Sequence, residues 1–262
     1  MGGTGTDVGL YVQTANSFVP ASIPDKVNDI AYGNKRYIAV GHNTYFSTDK
    51  IEWIPEAVEF GEASCVTYAD TFYVGVDGVG IFAYTADEQW RLVYAGDHVF
   101  TDAITANGIP LFGTATGSII SGEGWNETNI SSGRVKLAYS DKLYAVINGT
   151  GTLEVFSGAS IASLVSQGAN EVEDFYVTAT NYDSVNKCVV VAGYATDDAS
   201  PFFYMFQRGK WLMIFSSIDS HATALCRNAL TAGNTLYKTN DYQTFTRLHT
   251  FTDFVPNALI YA

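Results

Sequence analysis

Basic side chains are scarce in this chain: 14 Lys and Arg stand against 27 Asp and Glu, giving a net charge of −13. Such a surface repels a phosphate backbone, and Lys35-Arg36 is the lone adjacent basic pair, so nucleic acid is not expected as a partner. Three cysteines at distant positions, Cys65, Cys188 and Cys226, make no disulfide framework and read as reduced core residues. No stretch approaches about eighteen uninterrupted apolar residues, which excludes a helix that crosses a membrane. The amino terminus has no basic segment followed by an apolar core, so no secretory signal is expected.

Metal and cofactor signatures are equally thin. His42, His98, His221 and His249 show no short pairing of the kind a zinc site uses, and no metal is expected. Asp197-Asp198 lack the regularly spaced oxygen ligands of a calcium loop. No phosphate-cradling glycine loop precedes a helix, and Gly2-Gly3-Thr4-Gly5 reads as a flexible end. No cofactor is expected.

What the chain does have is aromatic side chains, 14 % of the total, and a repeat. Trp53, Trp90 and Trp125 follow one another at about thirty-five residues, and the same frame reaches Ile161, Trp211 and Phe245. The clearest copy runs from Asn28 to Pro55: Asp29-Ile30-Ala31-Tyr32, a Gly33-Asn34-Lys35-Arg36 turn, Tyr37 to Gly41, Thr44 to Asp49, then Glu52-Trp53-Ile54-Pro55. Gly-Asn between β-branched runs is a hairpin signal, because both residues tolerate positive φ. The copy therefore reads as a four-stranded meander. Five more follow, with fourth strands at Trp90 to Val93, at Trp125, at Ile161 to Val165, at Trp211 to Ser216 and at Phe245 to Thr250. No helical periodicity competes.

The two ends complement each other. Leu10 to Thr14 and Phe18 to Pro20 match the third and fourth strands of a copy, and Pro256 to Tyr261 matches a first strand. A lone meander cannot cover both of its apolar faces, and a linear stack leaves two sticky ends. Closure into a ring removes them. The expected fold is all-β: a single seven-bladed β-propeller across residues 1–262, closed by strands from both termini, with six blades as the alternative and an open β-solenoid as runner-up. The tryptophans are then structural pegs between blades. Their indole N–H groups need partners, which the preceding turn is expected to supply.

The turns before the pegs, Ser47-Thr48-Asp49, Thr85-Ala86-Asp87, Ser121-Gly122-Glu123 and Thr239-Asn240-Asp241, resemble the Asp-box of sialidase-like propellers. Acids and hydroxyls in such turns cap backbone N–H groups. A sialidase would also need clustered arginines. Of Arg36, Arg91, Arg134, Arg208, Arg227 and Arg247, only Arg227 falls in an expected inner strand. No catalytic residue is assigned, and a glycosidase is the least favoured reading.

The phrase from Ile30 to Gly41, followed by Ser47-Thr48-Asp49 and Trp53, resembles the repeat of propeller proteins widespread in bacteriophage virions and related bacterial surface proteins. The resemblance implies a non-enzymatic tail, nozzle, fibre or head-decoration module. It would be located in the virion within a symmetric assembly, docking on other virion proteins or on a host glycan, without membrane insertion. A lectin-type propeller is the alternative. The longer fifth copy carries an inserted loop, and Thr196, Asp197, Asp198 and Ser200 are the candidate contact residues, since inserted loops on a repeat scaffold carry specificity.

Overall fold

The structure is a computed structural model that describes residues 2–5, 9–13, 17–58, 60–172, 175–197, 200–214, 218, 222–226, 229–242, 244–252 and 254–259. Alternating and β-branched runs separated by tight turns form antiparallel meanders of four strands. The first blade comprises Val27–Gly33, Arg36–Gly41, Thr44–Ser47 and Ile54–Glu56. The second comprises Cys65–Tyr68, Phe72–Val76, Gly80–Tyr84 and Trp90–Ala95. Phe100–Ala106, Ile109–Thr114, Ser118–Ser121 and Asn126–Asn129 make the third.

The fourth blade runs Arg134–Tyr139, Leu143–Gly149, Thr152–Gly158 and Val165–Glu171. The fifth runs Phe175–Asp183, Cys188–Ala195, Pro201–Gln207 and Lys210–Ile214. The sixth runs Ala222–Cys226, Ala229–Ala232, Thr235–Thr239 and Phe245–Thr250.

These six blades are contiguous in sequence, the number of the alternative count. A further four-stranded sheet is composite, in the order Phe254–Ala258, Gly2–Gly5, Gly9–Gln13 and Phe18–Pro20. Its innermost strand lies between those of the sixth and first blades, so the first strands of all the sheets follow one another in a closed cycle around an axis.

Two expectations are corrected here. Gly2–Gly5 is not a flexible end: it pairs with Phe254–Ala258 on one side and Gly9–Gln13 on the other. Glycine is depleted in strands, so three glycines among four residues give no local strand signal, and the pairing on both sides makes this strand. In the fourth blade the segment at Ile161 is a short 3₁₀ turn, Ile161–Ser163, and the fourth strand begins only at Val165. Without an aromatic to seat against the neighbouring blade, the chain turns tightly before pairing resumes.

The Asp-box turns act as caps. Ser47 Oγ accepts from Lys50 N at 2.9 Å, and Asp49 Oδ1 accepts from Ile51 N and Glu52 N, both at 2.9 Å. These bonds from Glu52 and Ile51 hold the Asp49 carboxyl below its ordinary range. Thr239 Oγ1 and Asp241 Oδ1 repeat the pattern with Tyr242 N and Thr244 N. Apolar side chains between blades form a chain of clusters, and Cys65 and Cys188 are buried within them, their thiols pushed up by desolvation. The side chain of Cys226 lies outside the described residues.

Candidate functional site

The innermost strands surround an axial channel of about 420 Å³. Its chemistry comes from residues at their bulges. In the first, third, fifth and sixth blades the register skips one residue, respectively Asn28, Thr101, Thr178 and Thr223. A β-bulge leaves that residue unpaired and re-aims its side chain. Each of the four then donates to a carbonyl on the next innermost strand or just before it: Asn28 Nδ2 to Ala63 O at 2.9 Å, Thr101 to Val135 O, Thr178 to Ala222 O and Thr223 to Pro256 O.

The residue after the bulge continues the contact in two blades. Asp29 accepts from Ile30 N at 2.8 Å and, across the junction, from Val66 N at 2.9 Å. Asp102 accepts from Ala103 N at 3.0 Å and from Leu137 N at 2.8 Å. Two further junctions use Asp77, which accepts from Phe100 N at 2.8 Å, and Asn148, which accepts from Val177 N at 3.1 Å. Lys136 Nζ reaches back to Thr101 O at 2.5 Å.

Both channel carboxylates therefore have their oxygens committed to backbone amides. Desolvation pushes the Asp29 carboxyl from 3.8 up to about 7, against the opposing pull of those amides. The folded state holds this proton more tightly than the unfolded chain. The stability it contributes is complete below the ordinary carboxyl value and is lost as pH rises towards about 7. Wild type is expected to exceed Asp29→Asn in urea midpoint by a wider margin at pH 5 than at pH 8. A margin independent of pH would contradict this account of the carboxyl.

The inserted loop lies at the end of the fifth blade where the innermost strands begin. Ala195 N donates to Ser200 O at 2.9 Å, closing the turn, with Thr196 and Asp197 exposed and Ser200 half-buried. Asp198 lies outside the described residues. Two residues before Thr196, Tyr194 is the register partner of Tyr176, and their ring centroids are 5.2 Å apart. The Arg134 guanidinium sits 4.9 Å from the Tyr176 centroid. Its Nε is buried without a hydrogen-bond partner, and no described carboxylate lies within ion-pairing distance of it. Gly133 precedes it with φ +127°, where a Cβ would stand 2.3 Å from Asn148 O, so only glycine brings Arg134 into this position.

This revises the arginine reading. Among the described residues Arg134 is the arginine on an innermost strand, while Arg36 and Arg91 pair at the rim with Glu88 and Asp87. Arg227 and His221 lie outside the described residues. Arg36, Arg91, Arg134 and Arg247 sit on strands of four different blades. Among the described residues no group of three or more His, Cys, Asp and Glu is placed to hold a metal, and no helix is long and apolar enough to cross a membrane.

The ring of meanders around a channel defines a β-propeller with four-stranded antiparallel blades. A chain of the mitotic checkpoint complex superposes with a TM-score of 0.69 at 13 % identity, over 88 % of this chain and 79 % of that one. The periplasmic gluconolactonase PpgL of Pseudomonas aeruginosa gives 0.68 at 10 % identity over 97 % and 98 %. The propeller domain of Cps50 (Swd1) from Myceliophteria thermophila gives 0.59 at 11 % identity over 83 % and 82 %. At these identities the likeness is one of fold alone. No protein-family model matches the chain, and no curated protein matches it in sequence.

Proposed function

We propose that this protein is a non-enzymatic docking module of a bacteriophage virion. In this reading one propeller domain spans residues 1–262, with the composite sheet serving as its seventh blade, and it joins other virion proteins within a symmetric assembly. The observation that carries the docking role is the Arg134–Tyr176–Tyr194 stack beside the exposed Thr196–Asp197 turn. Arginine and tyrosine dominate the energetics of protein interfaces, and a guanidinium already held on an aromatic face loses little freedom when a partner carboxylate meets it. The non-enzymatic reading is supported by the channel acids, whose oxygens already accept backbone amides.

The test is cosedimentation of the purified protein with assembled particles lacking it. Arg134→Ala is expected to weaken that association by about thirtyfold, the loss of roughly 2 kcal/mol typical of a central arginine. Deleting residues 196–200 is expected to weaken it with the melting temperature little changed. Association unaltered in both variants would discard the docking face.

The lectin reading is favoured by the same tyrosine pair, which offers aromatic surface to a pyranose. Saturable binding of a neutral oligosaccharide, lost in Tyr194→Ala and retained in Arg134→Ala, would select it over protein docking.

A further inference from the structure

Around the rim, adjacent sheets meet at slots that receive an aromatic side chain from the start of the following blade's fourth strand, or from the composite sheet's outermost strand. Trp53 packs with Leu10 of the composite sheet, Trp90 against Phe60 ahead of the second blade, and Trp125 against Tyr73 of the second. Phe245 lies 5.5 Å from Phe203 of the fifth blade, and Phe18 5.5 Å from Phe251 beyond the sixth. The indoles also donate: Trp90 Nε1 to Glu56 Oε2 at 3.1 Å and Trp211 Nε1 to Gly168 O at 3.2 Å, in each case to the outermost strand of the blade behind.

The junction of the third and fourth blades differs. Ile161 stands where the others place an aromatic, and the 3₁₀ turn leaves a cavity of about 380 Å³ between the two blades. Ile109, Leu111, Leu143 and Ile161 form its apolar wall, with Glu123 and Thr128 at the polar edge. Thr128 follows Trp125 by the same interval at which Glu56 follows Trp53, so it occupies the position whose side chain receives the Trp90 indole at the first junction.

We propose that this slot is a binding site for a tryptophan side chain supplied in trans by a partner protein, on a segment bearing basic residues. The volume lies in the range of built small-ligand sites, and an apolar wall with a few polar groups on one edge is what fixes a planar ring with one donor. The repeat itself shows that the slot geometry accepts an aromatic ring, tryptophan at four junctions and phenylalanine at two; Thr128, at the position of the Glu56 acceptor, selects the ring that has an N–H to donate. The basic flank follows from charge complementarity: Glu123 is exposed at the edge, and the whole chain carries −13. The inference deepens the docking reading by naming what one partner contributes, at a site separate from Arg134.

The experiment is calorimetric titration of the intact protein with the peptide Lys-Lys-Trp-Lys-Lys and its alanine counterpart Lys-Lys-Ala-Lys-Lys. Saturable binding of the first is expected, about thirtyfold tighter than the second, as for truncation of a buried anchor. Ile161→Trp is expected to fill the slot in cis and abolish binding without lowering the melting temperature. Ala162→Trp, at an exposed lining position, blocks by a second route should the first variant misfold. Equal binding of the two peptides, or tryptophan-peptide binding unchanged in both variants, would overturn the proposal. Tighter capture of N-acetyl-tryptophanamide than of the peptide would overturn the assignment to a basic partner segment. Peptide binding should persist in Arg134→Ala. Particles that cosediment normally with a protein whose slot takes no peptide would sink the slot and leave the docking face standing.

Discussion

A chain lacking residues 2–5 is expected to lose its sharp thermal transition and to bind a dye for exposed apolar surface. Gly2–Gly5 is the strand through which Phe254–Ala258 and Gly9–Gln13 belong to one sheet. Without it the innermost strand at the carboxyl end has no lateral partner, and the outer pair, Gly9–Gln13 with Phe18–Pro20, is a two-stranded ribbon, marginal alone. The clusters that the composite sheet covers then open on both sides: Leu10 with Ile23 and Trp53 towards the first blade, Leu236 and Phe251 towards the sixth. Unpaired strand edges and bare apolar faces recruit other chains. Calorimetry should show a fall of about 10 °C or more, given roughly 2 to 4 °C per kcal/mol for a chain of this size, and size exclusion should show association. A deletion variant that melts as sharply and as late as the parent would remove the case for closure through the termini.

Truncating Trp53 to alanine is expected to cost about 3 to 5 kcal/mol, the range for a buried large aromatic. Trp53 is 6 % exposed, packs at 6.5 Å from Tyr37 in an edge-to-face arrangement, and donates Nε1 to Lys50 O at 2.7 Å. Its own amide donates to Ser22 Oγ at 3.0 Å, on the connection from the composite sheet, so the ring and the backbone are both tied to that junction. The alanine variant leaves a cavity and orphans the Lys50 carbonyl. Urea unfolding should show a lower midpoint with an unchanged slope, the mark of lost stability without a change in the surface exposed on unfolding. Trp53→Phe fills most of the cavity but still lacks the donor, so it should lie between. A loss below about 1 kcal/mol in the alanine variant would show that the indole is not a structural peg.

The repeat was legible because each copy carries the same two local signals, a turn rich in Gly, Asn and Asp and an aromatic at the start of the fourth strand. The aromatic frame located the slots, and the departure at Ile161 is visible in the sequence as a missing tryptophan. The strand at Gly2–Gly5 was not, since periodicity reports side chains and this strand is made by pairing with a segment at the far end of the chain. The clasps of Asn28, Asp29, Thr101, Asp102, Thr178 and Thr223 were hidden for a related reason. A bulge shifts one residue out of the alternation, and no local pattern states which hydroxyl or carboxylate will face the next blade. Asn or Thr at the second position of an innermost strand, followed by Asp, was the signal available in the first and third blades, while Thr178 and Thr223 are followed by alanine and carry no such signal. Arg134 was missed because strand boundaries are uncertain by a residue or two, and one residue decided whether it belonged to the inner strand.

The ring has a sense of direction. Near the axis, each contiguous blade reaches forward to its successor, through Asn28, Asp77, Thr101, Asn148, Thr178 and Thr223. At the rim, the aromatic anchors reach the other way, onto the sheet behind. A sheet fastened ahead at one edge and behind at the other resists rotation about its own radius, as a plank does when nailed at opposite corners. The fourth sheet is the exception: its forward fastening through Asn148 is intact and its outermost strand receives the Trp211 indole, but it sends no aromatic back onto the third. Twisting freedom should therefore concentrate there, where amide exchange in Val165–Glu171 outpaces that in the other outermost strands.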